Sequence, residues 1–513
     1  MPTFAAVDIG SNSCRIKIAR VEKHKLRTLY EDREVTRLGA SVFETGVISP
    51  EAMAVTIRAL KRFHKAVQEH VADGVRVVAT SAMRDARNSQ AFLEWVKSET
   101  GWTVEIISGL EEGRLIHLGV VGNERGARGK CILMDLGGGS CEVTLSDKGR
   151  IKEMVSLPLG AVRLQQEFLK NDPPKKEELA QLRRFIRREV GKAERRMAHH
   201  RVPLVLGTSG TAAALAASIN ANGKKKGAKK RGKVKAFAGT VQVRKMADRL
   251  AKMTNAQRSS VQGIGPRRSE IIIGGAEVYA ELLARLGLKG FRYSEMGLRD
   301  GVLTQMLAQT DRRAVSHRKF EQDRWDAVLE VANRYGVDLR RSEVVRAHAV
   351  QLFDELKSVH GLPAEYRFWL EAAAMLQDVG KFMNHQGRHR HTQYIVANSE
   401  IFGFTPEQRV VVSAVARYLG KSTLVPGDRV MRTIPIEEHA YIKSAVGLLR
   451  LAVALNQDRA SDVLRVRVQV RPKRVLLLLK AGRTGAELEM WALRKESAYF
   501  REVFRRELLA ELT

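Results

Sequence analysis

The sequence contains little cysteine and no long apolar run. Its three cysteines, Cys14, Cys131 and Cys141, are odd in number and lack metal-ligand spacing, which argues against a disulfide framework and a cysteine metal site. The longest apolar runs, such as residues 475–479, are far shorter than a membrane span. The N-terminus has no basic region followed by an apolar core, which argues against a signal peptide. We therefore expect a cytoplasmic protein with no membrane partner.

Acidic residues are few relative to basic ones. The chain has 88 lysines and arginines against 57 aspartates and glutamates, which gives a net charge of +31. Such an excess attracts polyanions, whether nucleic acid, an anionic membrane or polyphosphate, although part of it could serve solubility. With 513 residues the chain is too long for one hydrophobic core, so three or four domains are expected.

A short pattern occurs twice in the chain. The apolar residues 4–7 lead into Asp8 and a glycine-rich turn, and residues 132–134 lead in the same way into Asp135. Glycines let the backbone approach an oxyanion, successive N–H groups form an anion nest, and an acid at a strand end can hold a divalent cation. The repeat predicts a duplicated fold with one phosphate clamped between its halves. The candidate phosphate-binding residues are Gly10, Ser11, Asn12, Ser13, Gly137, Gly138, Gly139 and Ser140.

A third glycine-rich segment follows the strand-like residues 202–206. Its hydroxyls and N–H groups suit phosphate oxygens, although a helix capped by Ser or Thr would explain it equally well. The candidate residues are Gly207, Thr208, Ser209, Gly210 and Thr211.

Two adjacent glutamates, Glu111 and Glu112, lie at a predicted helix start. Carboxylates are favourable there for capping alone. The functional interpretation is a general base that orients and deprotonates the water attacking phosphorus. The pattern does not decide which of the two points inward.

Seven segments, in this order and spacing, resemble the exopolyphosphatase and guanosine pentaphosphate phosphohydrolase (Ppx/GppA) family. They are AVDIGSNS from Ala6, ATSAMRDARN from Ala79, IISGLEEGRLIHLGV from Ile106, MDLGGGSCEV from Met134, SLPLGAVRL from Ser156, LGTSGT from Leu206 and SEMGLRDGVL from Ser294. The segment LEAAAMLQDVGKFMNH, from Leu370, resembles the helical domain of long exopolyphosphatases, which is related to HD phosphohydrolases.

The resemblance implies an α/β fold of the actin-like (ribonuclease H-like) ATPase superfamily, with duplicated domains and a cleft between them. We expect actin-like domains at 1–130 and 131–310, a helical HD-like domain at 311–460 and a small α+β module at 461–513. In that last module the residue pattern predicts strands at 464–470 and 475–479 and a closing helix at 497–512.

The resemblance also implies the chemistry. Glu112 corresponds to the catalytic base, and Asp135 and Glu142 to ligands of Mg²⁺, with Mn²⁺ as a substitute. Asp8, at the end of the first strand, is a further candidate ligand. Arg84 corresponds to the arginine that neutralises charge on the transferred phosphoryl group, although an ion pair with a neighbouring acid would also explain it.

The implied activity is that of an exopolyphosphatase, which hydrolyses the terminal phosphoanhydride of inorganic polyphosphate. The expected enzyme is a homodimer that does not require nucleic acid. The alternative is hydrolysis of guanosine pentaphosphate to the tetraphosphate by the same catalytic parts. The glutamate pair and SEMGLRDG argue against a kinase or ATPase. The retained Glu112, Asp135 and Glu142 argue against a scaffold that only binds polyanions.

The HD-like region departs from an active metal-dependent phosphohydrolase. Gln377 replaces the histidine of the His-Asp pair beside Asp378, and His348 and Asp458 are the remaining candidates. An amide oxygen is a poor replacement for imidazole on a transition metal. We therefore expect no functional metal there, and instead a basic surface along which a long anion lies.

Two other basic segments have open roles. Residues 224–233 lack large apolar side chains and predict a loop that either recruits a polyanion or is a tolerated insertion. Arg183, Arg184, Arg187 and Arg188 lie on a predicted long helix, where a solvated face is expected more often than an anion site.

Overall fold

The structure is a computed structural model that describes residues 1–221, 237–419, 427–457, 464–481 and 485–513. It divides into two compact units, Met1–Arg318 and Lys319–Thr513. Within the described ranges, no helix is long and apolar enough to cross a membrane. The predicted basic loop at 224–233 and the candidate Asp458 lie outside these ranges.

The first unit contains two mixed sheets. The first sheet has the strand order β3-β2-β1-β4-β5. Its buried central strand, β1, is antiparallel to β2 and parallel to β4. Its strands are β1 (Thr3–Ile9), β2 (Cys14–Glu22), β3 (Lys25–Glu34), β4 (Gly74–Ala79) and β5 (Val104–Ile106).

The second sheet repeats this plan in the order β10-β11-β9-β6-β7-β8. Its fully buried central strand β6 is antiparallel to β7 and parallel to β9. The strands are β6 (Cys131–Leu136), β7 (Cys141–Asp147), β8 (Arg150–Leu157), β9 (Leu204–Thr208), β10 (Phe237–Gly239) and β11 (Gly290–Tyr293). Each central strand is almost continuously apolar because both of its faces are covered.

Helices connect the parallel strands and cover the sheets. They are α1 (Leu38–Thr45), α2 (Pro50–Glu69), α3 (Ser81–Asp85), α4 (Ser89–Thr100), α5 (Gly109–Asn123), α6 (Ala161–Phe168), α7 (Lys176–Met197), α8 (Ser209–Ala221), α9 (Thr240–Leu250), α10 (Asn255–Ser259), α11 (Ile272–Arg285) and α12 (Leu298–Thr310). Helix α12 packs against α5 and against β1, so the last helix of this unit returns to the first sheet.

The second unit is mostly helical and has its own core, to which Val345, Leu376, Leu448 and Phe500 contribute. Its helices are α13 (Val315–Arg334, which begins just before the unit boundary), α14 (Leu339–Glu355), α15 (Lys357–His360), α16 (Tyr366–Leu376), α17 (Arg388–Asn398), α18 (Pro406–Arg417), α19 (Glu438–Ala454) and α20 (Glu487–Phe504). A small sheet of β12 (Arg465–Val470), β13 (Arg474–Lys480) and β14 (Glu507–Leu512) packs on them.

The predicted closing helix at 497–512 is wrong in its bounds. Helix α20 begins earlier and ends at Phe504, where Arg505 adopts a left-handed φ of 55°. Residues Glu507–Leu512 form β14, parallel to β13. Helix-favouring residues are overridden here because the open edge of β13 needs backbone partners, and because Leu508 is buried in the core.

The α/β class and the helical C-terminal part are confirmed, and the two sheets of the first unit are mixed. The HD-like relationship of the helical part stays a prediction, as do the four domain boundaries.

Candidate active site

A cavity of about 250 Å³ opens where the glycine-rich segments after β1, β6 and β9 meet. The predicted residues that line it are Asp8, Gly10, Ser11, Asn12, Ser13, Glu112, Asp135, Gly137, Gly138, Gly139, Ser140, Ser209 and Gly210. The predicted residues that do not line it are Arg84, Glu142, Gly207, Thr208 and Thr211.

The first glycine loop (residues 10–13) lies directly against the second glycine loop (residues 137–140). A Cβ added to Gly138 would lie 2.9 Å from Cβ of Ser11 and 3.1 Å from the backbone nitrogen of Asn12. Only glycine allows this approach. The two loops therefore pack against each other and both line the cavity, so N–H groups of both loops can approach one phosphate.

The third glycine segment (residues 207–211) contributes in a different way from the first two. Ser209, at a left-handed φ of 65°, donates from its hydroxyl to Asp135 at 2.6 Å, and the buried hydroxyl of Thr208 donates to the same carboxylate oxygen. Thr211 is buried against Gly275. The Thr208 and Ser209 hydroxyls thus orient Asp135. Of this segment, only Ser209 and Gly210 line the cavity.

Three buried carboxylates converge beside the glycine loops. Oxygens of Glu112, Asp135 and Glu142 all lie within 4.8 Å of one another, the single such group of possible metal ligands among the described residues. Asp135 and Glu142 are direct partners in the antiparallel β6–β7 ladder, which places both side chains on one face of the sheet. Glu112 approaches them from the first turn of α5.

Burial raises the pKa of each of these carboxyls. The pKa of Glu112 is raised well above 4.5, by burial first and by Glu142 second. The pKa of Glu142 is raised to about 8, by burial first and by Asp135 second. The pKa of Asp135 is also raised by burial, although the Ser209 and Thr208 hydroxyls oppose the shift. Desolvation and mutual repulsion therefore disfavour full ionisation unless a positive charge is bound.

The donor set fits a hard divalent cation. Oε1 of Glu142 accepts a hydrogen bond from Ser156 at 2.8 Å, but its buried Oε2 has no hydrogen-bond partner. A buried carboxylate oxygen without a donor needs a partner of another kind, and carboxylate oxygens are the ligands that Mg²⁺ and Mn²⁺ prefer. Asp8 lines the same cavity but is not in this group, and its ladder partner is Arg15. Its role as a ligand stays a prediction.

The two glutamates at the start of α5 point in different directions. Ser108 caps this helix and accepts from the N–H of Glu111. The Glu111 side chain forms a two-point ion pair with Arg114, at 2.8 and 2.6 Å. Glu112 is buried and lines the cavity. The residue pattern left this choice open and the family resemblance favoured Glu112, which is the glutamate whose side chain reaches the cavity.

Arg84, in the short helix α3, approaches the acid cluster. Its Nη1 donates to the carbonyl of Ile107 at 2.6 Å and lies 3.4 Å from Oε2 of Glu112. Asp85, the neighbouring acid, pairs instead with Arg163. Arg84 thus forms an ion pair with an acid of the site itself.

Four arginines that the motif analysis did not single out also line the cavity: Arg15, Arg33, Arg268 and Arg299. Burial, together with Arg15 and Arg33, lowers the pKa of Arg268 to about 9. The pKa of Arg299 is lowered by burial and by Arg15. Such clustering of cations predicts an anionic ligand that relieves their repulsion. A signal was available for Arg299, which lies within SEMGLRDGVL, whereas Arg15, Arg33 and Arg268 lie outside the seven segments that resemble the family.

Residues 17–310 match the family model of the Ppx/GppA phosphatases, and residues 324–497 match the model of Ppx/GppA phosphatase domain III. The chain belongs to the Ppx/GppA phosphatase family. Membership implies a phosphatase.

Solved structures agree with this family assignment. The chain is 31% identical to the Aquifex aeolicus member of the Ppx/GppA protein family, over 60% of this chain and 99% of that one, with a TM-score of 0.51. It is 29% identical to an exopolyphosphatase-like protein, over 59% and 96%, with a TM-score of 0.54. An exopolyphosphatase from Cytophaga hutchinsonii, 24% identical over 60% and 98%, with a TM-score of 0.55, is similar in fold.

The helical unit of this Ppx/GppA phosphatase brings no second metal group together within the described residues. His348 is buried, its Nε2 has no hydrogen-bond partner, and burial lowers its pKa to about 4. Gln377 is buried, and Asp378 pairs with Lys381 at 2.7 Å.

The arginines of the long helix α7, in the first unit, form ion pairs. Arg183 pairs with Asp248 and Glu277, Arg187 pairs with Glu281, and Arg188 pairs with Glu189.

Proposed function

We propose that this chain is a Mg²⁺-dependent exopolyphosphatase that releases orthophosphate from the end of inorganic polyphosphate. The observation that carries the proposal is the cavity itself. Two adjacent glycine loops, two carboxylates of the buried cluster and four arginines line one space. This combination suits a terminal phosphoryl group attached to a strongly anionic chain.

In the proposed reaction Glu112 is the general base. It orients a water molecule against the terminal phosphorus and accepts its proton as the new O–P bond forms. The bond from phosphorus to the bridging oxygen breaks, and the shortened chain leaves with that oxygen. Arg84, 3.4 Å from Glu112, favours the ionised carboxylate before attack. Its positive charge beside Glu112 also offsets the negative charge that develops on the transferred group, although the side chain does not line the cavity.

The other residues bind and orient the substrate. N–H groups of the first and second glycine loops bind the terminal phosphate, and Arg15, Arg33, Arg268 and Arg299 neutralise the following ones. Asp135 and Glu142 are the residues that would hold Mg²⁺, or Mn²⁺ in its place. When bound, the cation supplies charge stabilisation at phosphoryl oxygens.

A second candidate, guanosine pentaphosphate hydrolysis, is favoured by a neighbouring cavity of about 660 Å³. Arg33 lines both cavities, and the second one adds apolar side chains, including Val35, Ala40, Val55 and Pro266. A phosphate chain in the first cavity could therefore continue past Arg33 into a space able to take a nucleoside. Both substrates use the same catalytic groups.

The deciding experiment measures phosphate release from long-chain polyphosphate, tripolyphosphate and guanosine pentaphosphate side by side. We expect the highest kcat/KM for long-chain polyphosphate. Val55→Trp, which fills the second cavity, serves as the matched variant: it should raise KM for guanosine pentaphosphate and leave tripolyphosphate unchanged. Exclusive turnover of the nucleotide would replace the leading proposal with the second one.

Salt dependence tests the role of the positive charge. Each phosphate that contacts Lys or Arg releases counterions, by analogy with nucleic acid. Affinity for long chains should fall steeply as salt rises, and affinity for tripolyphosphate should fall less. Equal slopes would mean that only the cavity contacts the substrate. The proposed homodimer, which requires no nucleic acid, is checked by the mass of the protein in the same buffers.

A further inference from the structure

The segment SLPLGAVRL, residues 156–164, carries an arginine that the reaction above does not use. This segment ends β8 and opens α6. The backbone N–H groups of Ala161 and Val162 donate to the first two carbonyls of the second glycine loop, at 3.0 and 2.8 Å. Nε of Arg163 donates to the third of these carbonyls, that of Gly139, at 2.9 Å. Three successive carbonyls of the loop therefore point toward α6.

This orientation decides where the amides of the loop point. In a trans peptide the C=O and the N–H of one unit point in opposite directions. Carbonyls fixed toward α6 thus direct the N–H groups of Gly138, Gly139 and Ser140 away from it. These three residues line the cavity. The backbone N–H of Arg163 also donates to the carbonyl of Gly138, at 3.1 Å, whereas the contact with the carbonyl of Gly139 is made by the Arg163 side chain.

The other end of Arg163 contacts the first half of the unit. Nη2 donates to the hydroxyl of Ser81 at 3.2 Å and forms an ion pair with Asp85. The guanidinium lies 4.1 Å from the centre of the Phe43 ring. Ser81 and Asp85 are the two ends of α3, which also carries Arg84. The guanidinium of Arg163 therefore joins the second glycine loop to α3, the helix that carries Arg84.

We propose that Arg163 is a positioning residue of this phosphatase. It aims the amides of the second glycine loop at the bound phosphate and fixes the distance between that loop and Arg84. A guanidinium suits the role because its rigid fork donates in several fixed directions at once, whereas an ammonium is a point charge. The proposal rests on the proposed phosphoanhydride hydrolysis.

The test compares Arg163→Ala and Arg163→Lys with the unchanged protein in phosphate release from tripolyphosphate. We expect Arg163→Ala to lower kcat by about 10²-fold, the scale of losing one oriented anion-binding donor, with a much smaller change in KM. Arg163→Lys should recover only a minor part of the loss. Millimolar guanidinium chloride should raise kcat of Arg163→Ala severalfold, and equal sodium chloride should not.

Arg196→Ala is the matched control, because Arg196 is exposed and makes one bond to a carbonyl, that of Met154, at 3.2 Å. It should keep kcat and show no response to guanidinium. Asp85→Asn removes the charge of one far contact of Arg163 and leaves its contacts with Ser81 and Phe43. It should lower kcat less than Arg163→Ala does and add nothing in the Arg163→Ala background.

Several results would overturn the positioning role. They are an unchanged kcat in Arg163→Ala, full recovery of kcat in Arg163→Lys, or losses of kcat that add when Asp85→Asn is combined with Arg163→Ala. A loss of kcat that accompanies a lower Tm and does not respond to guanidinium would also overturn it. If Arg163→Ala does not fold, Arg163→Gln is measured in the same way, since its amide can reach Gly139 but not Asp85. An unchanged protein inactive on polyphosphate and guanosine pentaphosphate would instead contradict the proposed function.

Discussion

Glu142 lies directly opposite Asp135 in the ladder between β7 and β6. In the first sheet, which follows the same plan, the residue opposite Asp8 is Arg15. The two halves thus differ at one chemically important position. The second half pairs two acids, and the first half pairs an acid with an arginine, whose positive charge favours an anion. The repeated sequence pattern therefore produces two sides of one site with different chemistry.

The first prediction concerns the base. Glu112→Gln keeps the shape of the side chain but cannot accept a proton. We expect kcat to fall by about 10²–10⁴, the scale of a positioned acid–base group, while substrate binding is largely kept. Phosphate release and tripolyphosphate binding are measured on the same preparation. Glu111→Gln is the control, because Glu111 pairs with Arg114 outside the cavity. The kcat of this variant should be nearly that of the unchanged protein.

The second prediction concerns the cation. Asp135→Asn can still accept from Ser209 but loses the charge that attracts Mg²⁺. The Mg²⁺ concentration needed for half-maximal activity should rise, and turnover should fall. A Mg²⁺ titration of Asp8→Asn, run in parallel, should show a smaller shift, because Arg15 lies opposite Asp8. Full activity of the unchanged protein in chelator would remove the metal from the mechanism.

The third prediction concerns stability and pH in chelator. The unfolded chain loses the Glu142 proton near pH 4.5, whereas the folded chain keeps it up to about pH 8. Since the folded state binds more protons in this window, its free energy of unfolding falls as pH rises through it. Glu142→Gln removes that ionisation cost. We expect its Tm to exceed that of the unchanged protein at pH 8 and to match it near pH 4.5.

The same measurement has an internal check. Added Mg²⁺ should raise the Tm of the unchanged protein at pH 8 more than that of Glu142→Gln, since the cation binds the folded state through this carboxylate. A variant that is less stable at both pH values, or an equal response to Mg²⁺, would show that Glu142 has another role.

The fourth prediction concerns the helical unit. His348 is buried with a pKa lowered to about 4, and the acids near it in sequence form no metal group within the described residues. His348→Ala should therefore leave kcat for tripolyphosphate nearly unchanged in protein that remains folded. Circular dichroism and Tm provide the folding control. A large loss of turnover in folded protein would indicate a second active centre.

The local sequence pattern is informative where a structure is built from adjacent residues. The two acid–glycine turns lie where the repeat predicted them, because an apolar strand followed by glycines forms its turn from adjacent residues. It failed at residues 507–512, where local helix preference lost to the unpaired edge of β13. It also missed Arg33 and Arg268, because a single arginine in an unremarkable stretch gives no signal until folding brings it to the cavity.

The sequence by itself determined the duplicated strand-and-turn pattern, the family, and the two adjacent glutamates that include the candidate general base. Each of these depends on residues that are adjacent or regularly spaced. Only the tertiary structure decided that Glu111 pairs with Arg114 and that Glu112, Asp135 and Glu142 converge within 4.8 Å. It also decided that four arginines line the cavity beside Glu112 and Asp135. The physical reason is that burial and charge repulsion depend on which distant segments pack together. Here they raise the pKa values of the acids and lower those of Arg268 and Arg299.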